Sequence, residues 1–125
     1  MNPLHLSILQ TDLVWEDPNV NRQLIEAQLQ ALPAGTHLTV LPEMFSTGFS
    51  MRPTELAETM EGETVQWMKR IAQEKRTILT GSFIATEQDR YFNRLLWVLP
   101  NGQIGQYDKR HLFAFAGEDQ HYTPG

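Results

Sequence analysis

The order in which hydrophobic periodicities follow one another constrains this chain most. Leu4, Leu6 and Ile8 alternate with polar neighbours over residues 4–10, the period of two that marks a strand. Asp17-Pro18 then offers an N-cap and a proline at the first helical position, where its missing N–H costs nothing. The helix that follows is expected to bury a stripe of Val20, Leu24, Ala27 and Ala31, widened by Ile25, Leu29 and Leu32. Pro33-Ala34-Gly35 ends it. Residues 38–42 read as a short, unbroken apolar strand of the kind covered on both faces. A second helix, over about 63–75, sets Val65, Met68 and Ala72 together with Trp67 and Ile71 beside them. Strands are expected at 77–84 and 91–99, and Pro100-Asn101-Gly102 turns the second of these back onto residues 103–107. Strands alternating with helices predict an α/β architecture in which helices pack on a sheet. Residues 46–61 carry breakers throughout, and periodicity stops after Phe113. No repeat, low-complexity tract or linker interrupts the pattern.

Composition narrows the functional classes. A length of 125 residues fits one domain and buries roughly two-thirds of its unfolded surface. Hydrophobic residues at 41% and charged residues at 20% describe an ordinary globular chain rather than a disordered one. A net charge of −5 disfavours nucleic acid and anionic membrane as partners, because phosphate binding needs a basic face and Lys109-Arg110-His111 is too small to be one. Zero cysteines exclude disulfides and thiolate metal sites and suit a reducing cytosol. The start, Met1-Asn2-Pro3-Leu4-His5, lacks the basic and apolar regions of a signal peptide, and no apolar run approaches the ~20 residues of a membrane span. A cytoplasmic protein is the expectation.

Two charged residues stand in suggestive places. Glu43 follows a buried strand, where open α/β sheets place ligands, and Leu41, Pro42, Met44 and Phe45 are expected to desolvate it and raise its pKa toward that of a general base. The alternative is a carboxylate that caps the strand and faces water. Lys109 precedes the apolar pair Leu112-Phe113, where a fixed positive charge can face a developing oxyanion. The alternative is a solvated turn, since Asp108-Lys109-Arg110-His111 is a charge run. Glu118 and His121 have the Glu-x-x-His spacing of di-metal bundles, but one copy in a Gly-flanked tail does not make such a site. His5, His37 and His111 show no mutual ligand spacing, and Gly102-x-x-Gly105 is too short for a dinucleotide loop. No metal and no cofactor are expected. Trp15, Trp67 and Trp97 read as core or subunit-contact residues. Phe45, Phe49, Phe113 and Phe115 are candidates for a small-molecule pocket, with core packing the competing role for at least half of them.

Taken in order, these strings resemble the nitrilase superfamily of carbon–nitrogen hydrolases, and within it the bacterial omega-amidases. Leu41-Pro42-Glu43-Met44-Phe45 is similar to the family's glutamate motif. Tyr91-Phe92-Asn93, Pro100-Asn101-Gly102 and Tyr107-x-Lys109-x-x-Leu112-Phe113 resemble its lysine motif, and Gly117-Glu118 with Tyr122-Thr123-Pro124-Gly125 its auxiliary-glutamate segment. The resemblance implies Glu43 as general base, Lys109 as stabiliser of the tetrahedral intermediate and Glu118 as an auxiliary acid. It also implies a cysteine nucleophile that forms a thioester, release of ammonia, and small 2-oxo acid omega-amides such as 2-oxoglutaramate as substrates. Phe45, Phe49 and Phe115 would line the substrate pocket, and a homo-oligomer is implied as well.

One departure is decisive: the nucleophile is absent. In the family it follows the lysine motif on a further strand, whereas this chain ends 16 residues after Lys109. The implied fold is a four-layer α-β-β-α sandwich, of which residues 1–125 would be the N-terminal half, with the nucleophile strand in the absent C-terminal half. Such a half exposes the sheet face that the sandwich hides. Two readings follow. One is an amidase whose remaining half lies outside these residues; the other is a truncated, inactive or non-enzymatic interaction protein. A generic α/β binding module would require both motifs to be coincidental.

Overall fold

A computed structural model describes residues 2–125. Its strands are β1 (Leu6–Ile8), β2 (Leu38–Val40), β3 (Ile78–Glu87), β4 (Arg90–Val98) and β5 (Ile104–Asp108). They form one sheet in the order β1-β2-β3-β4-β5. The first three run parallel, Leu6 opposite Leu38 and Leu38 opposite Ile78, and the last three are antiparallel. Helices α1 (Pro18–Leu29) and α3 (Glu63–Lys75) make the two crossovers between the parallel strands, with a single turn, α2 (Pro53–Leu56), before α3. This is the α/β arrangement that the alternating periodicities predict, with both long helices at the expected positions. The charge run near residue 108 leads into a 3-10 turn (Ala114–Ala116) and a last helical turn, α4 (Glu118–His121).

Local chemistry explains the crossovers. Asp17 caps α1 by accepting from the Val20 N–H at 3.3 Å, and Pro18 opens the helix. The buried face of α1, however, keeps only Ile25 and Leu29 of the expected set fully inside. Asn21, Arg22, Ile25 and Leu29 point inward, while Leu24, Ala27 and Ala31 face solvent. Apolar residues lie on two sides of this helix, so periodicity alone cannot choose between them. Polar anchoring chooses: the Asn21 amide donates to the carbonyls of Val14 at 2.7 Å and Ser46 at 2.8 Å, and accepts from the Val14 N–H at 2.7 Å. On α3 the expected set, Val65, Trp67, Met68, Ile71 and Ala72, is buried throughout. These residues pack with Ile25 and Leu29 against Leu79 and Phe83 of β3 and Leu96 and Val98 of β4.

A second hairpin joins β3 to β4. Its turn residues, Gln88 and Asp89, both take positive φ, 52° and 62°, the backbone of a two-residue type I′ turn. Glutamine is an uncommon residue there, so the sequence does not announce the turn.

Both long helices cover the same face of the sheet. Directly paired residues share a face, so the register puts Leu6 and Ile8 of β1, Leu95 and Trp97 of β4, and Tyr107 of β5 on the other side. Ile8 is 71% exposed and Tyr107 52%. Trp15 and Trp97 are exposed as well, and among the tryptophans only Trp67 is a core residue. Toward the β3–β4 turn this face is covered. Tyr122 packs on Met44 and Ile84, and its hydroxyl donates to the Ser50 carbonyl at 2.6 Å. The 125-residue chain on its own is therefore expected to self-associate and to bind a hydrophobic dye. Sedimentation and dye fluorescence check this; a clean monomer with a cooperative melt and no dye signal contradicts it.

Candidate active site

The strand β2 does not end freely. Its ladder continues through the Leu41 N–H to the Thr80 carbonyl at 2.8 Å, and the chain then turns through Met44, whose φ of 49° is left-handed. A non-glycine residue holds that conformation only where its surroundings fix it. Here the Met44 N–H donates to Ser82 Oγ at 2.8 Å, and the Phe45 N–H to the Ser82 carbonyl at 3.2 Å. Gly81 lets this turn sit directly on β3: a methyl group there would lie 2.9 Å from Leu41 Cβ and from Phe45 Cδ1. The turn drives Leu41, Met44 and Phe45 into the interior and leaves Glu43 pointing out, its side chain 48% exposed. Its apolar neighbours are buried in the two core clusters, Leu41 and Phe45 in one and Met44 in the other, whereas Glu43 stays half exposed on the groove.

Lys109 leaves the end of β5 with its backbone pinned on both sides. Its N–H donates to the Asn93 carbonyl at 2.9 Å, and its own carbonyl accepts from Gly125 at 3.0 Å. Its ammonium sits between two carboxylates, 2.8 Å from Glu43 Oε2 and 3.1 Å from Glu118 Oε1, and 5.2 Å from the Phe49 ring centre. This is a converged site rather than the solvated turn that a charge run suggests.

Glu118 is wholly buried. Burial alone would push its carboxyl up, but the Phe113 N–H at 2.6 Å, the Asn93 amide at 3.1 Å and the Lys109 ammonium outweigh that and hold it below the ordinary carboxylate range. Burial likewise works against charge on Lys109, and its bonds to Glu43 and Glu118 overcome it, so the amine sits above its usual value. Both groups are charged at neutral pH.

Three positioning groups escape the sequence reading. Ser82 holds the Met44 turn. Asn93, quoted only as part of a motif, is buried and donates to both glutamates. Arg94 points to the helix side, 1% exposed, with Nε 2.6 Å from Asp108 Oδ1, Nη1 3.1 Å from Glu87 and its guanidinium over the Phe92 ring. The hydrogen bonds it donates to Asp108 outweigh burial and keep its cation more firmly protonated than usual. By tying β4 to β5 one residue before Lys109, this pair fixes where the lysine starts. Arg94→Met is expected to lower stability by about 3 kcal/mol, because Asp108 loses its buried partner; chemical denaturation of the folded protein measures it.

Glu43, Asn93 and Lys109 line one open groove with Leu41, Gly81, Ser82, Leu95 and Tyr107, on the sheet face that the helices leave bare. Of the aromatic candidates, Phe45 is not in the groove: it is fully buried between Trp67 and Gly81. Phe49 lies beneath Lys109 and continues to Phe113 and then Phe115, ring centres 6.4 and 6.2 Å apart. Phe115 is 95% exposed. Among the described residues no three of His, Asp and Glu converge as a metal site.

The chain matches the carbon–nitrogen hydrolase family model over residues 5–125. It is 39% identical to omega-amidase YafV of Yersinia enterocolitica over all 125 residues, and 26% identical to the 2-oxoglutaramate amidase of Bacillus subtilis over 123 residues. These cover 100% and 96% of this chain, and 48% of each relative, so the chain spans about half the length of the curated relatives it matches. Its fold superposes with a TM-score of 0.95 on XC1258 of Xanthomonas campestris, a CN-hydrolase superfamily protein with an arsenic adduct in its active site. Sequence identity there is 40%, covering all of this chain and 47% of that one.

Proposed function

The chain belongs to the carbon–nitrogen hydrolase family, and from that premise we propose that it supplies the acid–base and oxyanion-binding half of a cysteine-dependent amidase site. The observation that carries this reading is the placement of one ammonium between two carboxylates, Lys109 Nζ against Glu43 and Glu118. The nucleophilic thiol comes from sequence beyond these residues, on a second sheet that covers the bare face of the first. This chain together with that half makes up the complete protein.

Chemically, each group has one task. Glu43, half exposed on the groove, takes the thiol proton, and the thiolate adds to the amide carbonyl carbon. Lys109 offers its remaining N–H to the oxyanion that forms, at a point where its charge is already fixed. Glu43 then returns the proton to the departing nitrogen, which leaves as ammonia, accepts another from the water that opens the thioester, and passes that one to the thiolate expelled as the acid forms. Glu118 stays outside the proton traffic and holds Lys109 in place. The relatives' names favour omega-amides of small 2-oxo acids, 2-oxoglutaramate among them, as substrates. A thiol nucleophile also suits a reducing, cytoplasmic setting; no described helix is long and apolar enough to cross a membrane.

Ammonia release tests this directly. The complete protein is expected to release ammonia from 2-oxoglutaramate, and these 125 residues alone to release none. Turnover by the chain alone would refute the need for a thiol. Failure of the complete protein across a panel of small omega-amides would sink the amidase reading. A second reading, a non-enzymatic interaction protein, rests on the missing cysteine. It gains if the coding frame stops directly after Gly125, and it loses if that frame continues into a strand bearing a cysteine.

A further inference from the structure

We propose that Asn93 is the positioning residue that decides which oxygen of Glu43 accepts the proton, an inference that rests on the amidase reading above. Glu43 Oε2 accepts from Asn93 Nδ2 at 2.7 Å and from Lys109 Nζ at 2.8 Å. No hydrogen bond among the described residues engages Oε1. Two donors on one oxygen therefore leave the other as the open acceptor, and they fix the plane in which its lone pairs lie.

Asn93 reaches the second carboxylate with the same nitrogen, at 3.1 Å from Glu118 Oε2. Its two amide hydrogens and the Lys109 ammonium thus close a ring: Glu43, Lys109, Glu118, Asn93 and back to Glu43. Only the nitrogen side of the amide can face two carboxylates, which settles its orientation. The backbone of the same residue also contributes, since the Asn93 carbonyl accepts the Lys109 N–H. One residue of β4 therefore sets the base through its side chain and the lysine through its main chain.

The choice of residue type follows from charge. The ring holds two carboxylates and one ammonium. A second cation at position 93 would pair off the remaining negative charge and leave Glu43 a poorer base. An aspartate would add a third anion with nothing to donate, and a serine has a single hydrogen and a shorter reach. A neutral amide with two hydrogens holds both carboxylates without altering the charge balance.

Asn93→Leu in the complete protein keeps the volume and removes both hydrogens. Expected is a fall in kcat of about 10–100-fold with KM changed by no more than about 3-fold, since the substrate still binds but the base is no longer oriented. Glu118 is expected to titrate higher than in the wild type by carbon-13 NMR of its carboxyl, because one of its donors is gone. Asn93→Ser, which keeps a polar group in the buried site, is the second variant and is expected to show the same pattern more weakly. A kcat within about 2-fold of wild type in the folded variants, with Glu118 unmoved, would overturn the proposal. If the wild type releases no ammonia while Glu118 still moves in Asn93→Leu, the amidase reading falls and the bridging role stands.

Discussion

Glu43→Gln in the complete protein is expected to lower kcat/KM for amide hydrolysis by about 10²–10⁴-fold, the usual worth of a positioned general base. Steric effects cannot account for such a loss, because the two side chains are nearly isosteric and Glu43 is 48% exposed. Glutamine still offers Lys109 and Asn93 an acceptor in place of Oε2. What it lacks is the capacity to carry a proton away. Thermal unfolding is expected to stay close to wild type, since both donors keep an acceptor and an ion pair to a half-exposed carboxylate is worth only about 0–1 kcal/mol. The informative measurement pairs the two: rate by ammonia release and fold by melting. A variant that melts normally and retains more than a tenth of wild-type activity would remove Glu43 from the role of base.

How much of this was readable beforehand depends on whether the deciding interaction is local. Helix α3 was legible because its buried set repeats at helical spacing and nothing else competes for that face. Helix α1 was legible in extent, from Asp17-Pro18, but not in orientation. Its inward face is selected by Asn21 bonding to carbonyls seven and 25 residues away in sequence. The Gln88-Asp89 turn was missed because its signal is a backbone conformation rather than a favoured residue type. The site shows the same division. Glu43 stands out because it follows an apolar run and Lys109 because it precedes the apolar pair Leu112-Phe113, and their motif strings add to that. Asn93 and Ser82 sit inside strands, where a polar residue on an alternating pattern reads as solvent-facing. Their roles exist only once β3 and β4 are paired beside the Met44 turn. Phe45 failed as a pocket residue for the converse reason: it is adjacent to Glu43 in sequence, and a left-handed residue between them sends the two side chains to opposite sides of the sheet.

Lys109→Met is expected to remove activity and loosen the site together, and pH separates the two effects. Loss of an oxyanion donor alone is worth about 10²–10³ in kcat. Methionine fills the space of the lysine stem but leaves Glu118, fully buried, with only the Phe113 N–H and the Asn93 amide. Removing a charged partner from a buried carboxylate costs about 2–3 kcal/mol. Glu118 lies below its ordinary value of 4.5 in the folded protein, so it contributes stability that is present above pH 4.5 and lost as pH falls through its folded value. Lys109 lies above 10.5, so its contribution is complete below pH 10.5 and lost as pH rises through its folded value. The stability gap between wild type and variant is therefore expected to be widest across the neutral range and to narrow toward both extremes. Denaturation midpoints measured from pH 3 to pH 11 check this. A gap that is flat across that range would mean that the lysine contributes packing alone, and that its place between the two carboxylates does not stabilise the fold.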